Sequence, residues 1–271
     1  MLPEISALNQ SYLVDAAREE FRAPERYRRL LNYLVENGCT FKDEPMPTLI
    51  KPNFLTERQV ARLEETVETI CSALTKFIRL YLENGDVQRI MNFSAAENEL
   101  FRIDPGYFNP LVIARLDAFM DDYRIRFLEF NCDSPAGTAY ADIQEDGFER
   151  IIFPGMDFLR NWEVRYHNRR RLLFQTLRES YRQFRRDHPE RPRDPTIAIV
   201  DWLDISTASE FELLKKYFEE DGCRTVIADP RELKIERGAL TARGETIDLV
   251  YRRVITRELL ERLDEAGPFI E

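Results

Sequence analysis

Apolar residues recur every three to four positions over the first ~85 residues, which predicts helices there. Tyr27, Leu30, Leu31 and Leu34 form one stripe, and Asn37-Gly38 is a helix end. Thr56 with Gln59 predicts a capping box. The helix that follows it carries Val60, Leu63, Val67, Ile70, Leu74, Phe77, Ile78 and Tyr81 on one side, expected to face a core, and stops at Asn84-Gly85. From Val112 the period drops to two. Residues 112–119 and 124–131 read as strands around a turn at 120–123, a β-hairpin, and Cys-Asp-Ser-Pro-Ala-Gly (132–137) breaks the alternation as a loop. Residues 138–190 read as mostly helical. After Arg-Pro-Arg-Asp-Pro (191–195) the pattern alternates strand, helix, strand, strand, with strands at 196–202, 223–228 and 247–253, a helix at 206–221 and a hairpin turn at Arg237-Gly238. Such a βαβ pattern predicts a small parallel sheet.

The fold class expected is therefore α/β, in three parts. Residues 1–98 form a helical region, residues 99–194 hold the antiparallel hairpin with its loop plus helices, and residues 195–271 form a small Rossmann-like α/β domain.

Composition narrows the function. The 271 residues carry a net charge of −10, so bulk electrostatics favours neither nucleic acid nor an anionic membrane, and no apolar run is long enough to span a bilayer. The N-terminus has no secretory pattern. The four cysteines make no CxxC pair, which suggests neither a disulfide framework nor a zinc site and fits a reducing cytoplasm. With only His167 and His188, both among arginines, histidine-centred catalysis is nearly excluded. Of the 39 basic residues only six are lysines. Ten arginines lie between Arg165 and Arg193; they read as a nucleic-acid patch or as the solvated face of an amphipathic helix, and the net charge of −10 favours the solvated face. There is neither GxGxxG after the first strand of the last segment nor any GxxxxGK[ST].

Chemistry concentrates at the hairpin. Strand alternation puts Arg115 and Asp117 on one face of the first strand and Glu129 and Asn131 on one face of the second. Symmetric pairing about the turn places Arg115 opposite Glu129 and Asp117 opposite Phe127, with Leu116, Ala118, Leu128 and Phe130 on a core-facing side. Two carboxylates and an amide oxygen suit Mg²⁺, and an adjacent guanidinium suits a transferring phosphoryl group. Backbone N–H groups of Asp133–Gly137 are placed to hold an anionic substrate. The same spacing fits a cross-strand salt bridge on a solvated sheet face.

ARLDAF (114–119) followed by FLEFNCDSPAG (127–137) resembles the signature of glutathionylspermidine synthetases and their circularly permuted ATP-grasp relatives, and is more distantly similar to eukaryotic-type glutathione synthetases. The family pattern is Arg-x-Asp on one strand, then Glu-x-Asn-x-Asp-[Ser/Thr]-Pro on the next. IAIVDW, ELLKKYF and DLVYRR are similar in order to the family's substrate domain. The resemblance is moderate from about 100 to 260 and weak in the N-terminal helices. It implies an ATP- and Mg²⁺-dependent C–N ligase that joins a peptide-like carboxylate to an amine through an acyl phosphate. It implies Asp117, Glu129 and Asn131 as Mg²⁺ ligands and Arg115 as the catalytic group at the γ-phosphoryl. Asp133, Ser134, Ala136, Gly137 and Ser206 would line the substrate, and Arg252 or Arg253 would meet a substrate carboxylate, although a strand-end ion pair explains those two arginines as well. The sheet edge with Asp204, Ser206 and Arg253 is expected to face loop 132–137. Family chains continue well past the equivalent of Arg253, so the chain resembles the first portion of a longer enzyme whose ATP clamp lies beyond it. By itself it is expected to show no ligase activity and only weak Mg²⁺ binding. Two other readings are a non-catalytic binding module that lost its nucleotide site, and a scaffold that uses 165–193 to bind an acidic partner.

Overall fold

The computed structural model describes residues 3–18, 24–120, 124–203 and 208–270. Residues 121–123 of the predicted turn, together with Asp204 and Ser206, lie outside them. The architecture is mixed α/β.

Helices α1 (Pro3–Ala16) and α2 (Pro24–Glu36) open the chain. In α2 the stripe read from the sequence meets a core: Leu30 and Leu34 are buried, with Tyr27 and Leu31 packed beside them. Their partners include Tyr12 of α1, but also Tyr140 and Ile143 of α6 (Thr138–Gly147) and the aromatic group Phe148, Phe153 and Phe158. The N-terminal helices thus share one core with residues 140–158. Helix α6 runs directly into a π turn, Phe148–Ile152.

A short ribbon, β1 (Thr40–Phe41) and β2 (Glu44–Pro45), precedes α3 (Glu57–Glu83). The predicted capping box is present: the Gln59 N–H donates to Thr56 Oγ1 at 3.2 Å and the Thr56 N–H to Gln59 Oε1 at 2.9 Å. The inward stripe expected for α3 needs correction. Only Tyr81 is buried; Val60, Leu63, Val67, Ile70, Leu74 and Ile78 are half-buried, and Phe77 is exposed. Cover at the C-terminal end of α3 is local: α4 (Gly85–Met91) follows at once, and Tyr81 packs edge-on against Phe93 and against Phe101 of α5 (Ala95–Phe101). An amphipathic period marks the face that gains from burial; it does not supply the partner.

After the hairpin, β3 (Arg115–Met120) and β4 (Ile125–Asn131), and α6 comes α7 (Arg169–Asp187), capped by Asn168, whose side-chain oxygen accepts the Arg171 N–H at 2.8 Å. The predicted parallel sheet forms from β5 (Ile197–Val200), β6 (Thr225–Ala228) and β10 (Leu249–Arg252), in the order β10–β5–β6. All four β5 residues are buried because both faces are covered. On one face Ile197, Ile199 and Ile227 pack against α7 and α8 (Ala208–Glu220) through Leu173, Phe174, Leu177, Phe211, Leu214 and Phe218. On the other, Ala198, Val200, Val226 and Ala228 meet Leu233, Ala242 and Ile247. These last flank or belong to a small antiparallel sheet, β7 (Leu233–Glu236), β8 (Ala239–Ala242) and β9 (Glu245–Thr246). Its first turn is the predicted Arg237-Gly238, with both φ angles positive at 53° and 78° as two-residue hairpins require. The second, Arg243-Gly244, repeats that geometry and was not read from the sequence. Helices α9 (Thr256–Glu261) and α10 (Leu263–Ile270) close the described chain.

Among the described residues no helix is long and apolar enough to cross a membrane. All four cysteines are free.

Candidate metal and substrate site

The hairpin's pairing register differs from the symmetric one expected. Arg115 lies opposite Asn131, and Asp117 opposite Glu129. A bulge after Asp117 shifts the ladder so that Ala118 pairs with Phe127, leaving Leu128 as the extra residue on β4. Because the shift lies on the turn side of Asp117, the four polar residues still share one face. They also stand closer than symmetric pairing implied, since directly opposed Cβ atoms are about 4.5–5.5 Å apart.

Two carboxylates directly opposite one another repel unless a cation lies between them. Here Arg115 supplies it. Its Nε donates to Asp117 Oδ1 at 3.0 Å, and its Nη2 lies 3.9 Å from Glu129 Oε1. Asn131 Nδ2 donates to Glu129 Oε1 at 3.0 Å. The face is open to solvent. Among the described residues no group of three or more His, Cys, Asp or Glu side chains gathers for a metal ion. The set at the hairpin is two carboxylates and an amide oxygen, a partial hard-oxygen shell of the kind Mg²⁺ completes with water and substrate oxygens. Its donors fit that ion once the Arg115 guanidinium moves off the carboxylates and the Asn131 amide turns its oxygen, in place of its Nδ2, toward Glu129. Arg115→Met is therefore expected to tighten divalent-cation binding several-fold, read by Mn²⁺ paramagnetic resonance, because the competing internal cation is gone.

The other hairpin face is not the core predicted. Leu128 is 65 % exposed and Phe130 40 %, and Ala118 is also exposed; Leu116 is half-buried. Cover within this face comes from Phe127 and Phe130, whose rings stack at 5.6 Å. Two strands alone bring no second layer.

Loop 132–137 docks onto the carboxyl edge of the parallel sheet, as expected. Ser134 Oγ donates to the Arg253 carbonyl oxygen, Arg252 pairs with Asp133, and the Thr256 N–H donates to Asp133 Oδ2 at 3.1 Å. Arg115 Nη1 reaches Ala136 O at 3.3 Å, which ties the loop back to the hairpin face. The roles of several loop partners change, however. Arg253 is buried, and its guanidinium donates to Pro135 O and, at 3.1 Å, to Tyr251 Oη, beside Glu210 at 3.6 Å. It serves the fold and is not presented to a substrate carboxylate. Arg252 is committed to Asp133 and to Val254 O. Of the loop's N–H groups, that of Gly137 is in use: Glu210 Oε1 accepts it at 2.9 Å, together with the Ala139 N–H of α6 at 3.1 Å.

Two residues here were not singled out in the sequence. Glu210 sits in the first turn of α8 and nothing local marks it as the partner of Arg253. Asp201 had a usable signal: it is the first polar residue after the apolar strand IAIV, at the edge where parallel sheets bind ligands. It is 6 % exposed, and its Oδ1 accepts the Trp202 N–H at 2.8 Å. Burial pushes its carboxyl up to about 6, opposed by the Trp202 N–H and the nearby Arg253 charge. The folded chain therefore holds this proton to a higher pH than the unfolded chain does. Its contribution to stability falls as pH rises from about 4 through about 6. Two units correspond to about 3 kcal/mol. Asp201→Asn keeps the acceptor and is expected to raise stability at pH 7 by about 1–3 kcal/mol and to flatten the pH dependence across that window, read by urea unfolding. A stability at pH 7 equal to or below that of the parent would show that ionised Asp201 is not a burden on the fold.

No family model matches the chain, and no curated protein is matched by it.

Proposed function

We propose that this chain carries the metal- and substrate-binding part of an ATP-grasp-type ligase, similar to the glutathionylspermidine synthetases, which joins a carboxylate to an amine through an acyl phosphate. The observation that carries the reading is the direct opposition of Asp117 and Glu129 on an exposed strand face, with Asn131 and Arg115 beside them. That face is tied through Ala136 to a loop anchored on the carboxyl edge of a parallel sheet. A stable fold gains little from opposing two exposed carboxylates, whereas a divalent cation needs them.

In this reading Asp117, Glu129 and Asn131 hold Mg²⁺, which when bound neutralises the phosphate oxygens of ATP. Arg115, released from the carboxylates, is close enough to steady a phosphoryl group beside them. The reaction requires positioning and charge stabilisation rather than a proton relay, which agrees with the lack of any histidine at this face. Ser134 and Asp133 set the loop, and its outward side offers the substrate surface.

Mn²⁺ titration of the chain tests the metal site. Weak binding is expected, at millimolar concentration or above, and it should be lost in both Asp117→Asn and Glu129→Gln. Binding that survives in both variants would refute the site.

A further inference from the structure

The arginines of α7 divide into two groups. Arg169 and Arg170 at its start are tied to the buried Asp142, and Arg169 also to Glu145, so they hold α7 on α6. Farther along, Arg178, Arg182 and Arg185, joined by Arg193, line a groove of about 760 Å³ between α7 and the chain at 107–112. That volume lies within the roughly 300–1,000 Å³ typical of small-molecule sites.

The groove's second wall is firmly placed. Gly106, at φ +74°, passes so near α7 that a Cβ there would lie 2.7 Å from the Phe184 ring. The Phe108 N–H donates to Gln183 Oε1 at 3.0 Å, and the Arg186 guanidinium lies 5.9 Å from the centre of the Phe108 ring.

Four arginines and two acids, Glu179 in the lining and Asp194 beside it, meet at this groove, on a chain whose net charge is −10; Arg185 is held through its Nε by the Arg191 carbonyl oxygen at 3.1 Å. Arg178 pairs with Asp194 at 2.9 Å and Arg182 with Glu179; Arg182 and Asp194 are mostly exposed, Arg178 and Glu179 partly so. Such pairs are worth about 0–1 kcal/mol, so a better anion displaces them at little cost. Arg193 is exposed and makes no ion pair among the described residues. Tyr107, Asn109 and Gln175 add polar groups to the lining.

We infer that this groove binds a small polyanion bearing at least two phosphate or carboxylate groups, held by forked contacts from Arg178, Arg182 and Arg193. Guanidinium groups pair bidentately with both kinds of group, and several of them set along one wall select for more than one negative centre. The inference does not rest on the ligase reading, because the groove lies on α7 and not at the hairpin.

Calorimetry with sodium tripolyphosphate, citrate and inorganic phosphate tests it. Tripolyphosphate or citrate is expected to bind saturably, at least tenfold more tightly than inorganic phosphate. The double substitution Arg182→Ala/Arg193→Ala is expected to weaken that binding at least tenfold. A second double variant, Arg150→Ala/Arg160→Ala, removes the same charge far from the groove and should bind as the parent does. Thermal melting of both variants checks that each is folded, and chemical-shift changes confined to 107–112 and 175–193 would place the ligand independently of any substitution. The proposal is overturned if neither small polyanion binds saturably, if both double variants lose affinity equally, or if only an oligonucleotide or an acidic peptide binds.

Discussion

Arg253→Ala is expected to destabilise the protein by about 3–5 kcal/mol, the cost of removing one partner from a buried ion pair. Arg253 and Glu210 are 4 % and 1 % exposed and sit 3.6 Å apart. Removing the guanidinium leaves Glu210 charged among apolar side chains such as Phe211 and Tyr251, and also strips Pro135 O and Tyr251 Oη of their donor. The damage should reach the loop, because Glu210 holds the N–H groups of Gly137 and Ala139 from the same site. Urea unfolding should show the loss in stability, and proteolysis under native conditions should begin within 132–137. Glu210→Gln should cost less, since the amide oxygen can still accept those two N–H groups. The double variant Arg253→Met/Glu210→Gln should recover part of the loss of Arg253→Ala, because it buries no unpaired charge. A cost under 1 kcal/mol for Arg253→Ala would mean that water reaches Glu210 and that the loop is anchored by its other contacts.

The second large effect concerns turnover. Where ligation is observed, Asp117→Asn and Glu129→Gln are each expected to lower kcat by about 10²–10³-fold, the scale of losing one group that stabilises transition-state charge. The KM for the carboxylate substrate should change little. Both side chains are substantially exposed, so folding should be nearly unaffected and the loss can be read as chemistry. The asymmetry follows from the role proposed: a metal that neutralises the transferring phosphoryl acts chiefly in the transition state, whereas carboxylate binding belongs to the loop side of the site. Phosphate release measured at varied Mg²⁺ should also show that excess metal partly restores Glu129→Gln. Unchanged kcat in either variant would remove the hairpin from the mechanism.

How far the sequence reaches can be judged element by element. The capping box at Thr56–Gln59, the strand IAIV, the Asn37-Gly38 helix end and the Arg237-Gly238 turn were all legible, because each is decided within a few residues by hydrogen bonding, φ preference or period. The shared face of Arg115, Asp117, Glu129 and Asn131 was legible for the same reason: alternation along a strand is local. Their register was not. A bulge after Asp117 brought Asp117 opposite Glu129, and only the whole ladder settles where an extra residue is accommodated. Burial escaped in the same way: the α3 stripe has an ideal period and little cover, and the back of the hairpin is apolar yet exposed.

By itself, then, the sequence determined the mixed α/β class, the parallel sheet, the polar hairpin face and the loop that follows it. Tertiary structure alone decided that Glu210 takes the N–H groups of Gly137 and Ala139 and that Arg253 is buried rather than offered to a ligand. It also decided which arginines of α7 hold the fold and which line a groove. The physical reason is that side-chain type and spacing set what a residue can do locally. Whether a charge is satisfied internally or left for a ligand depends on partners brought together from distant parts of the chain.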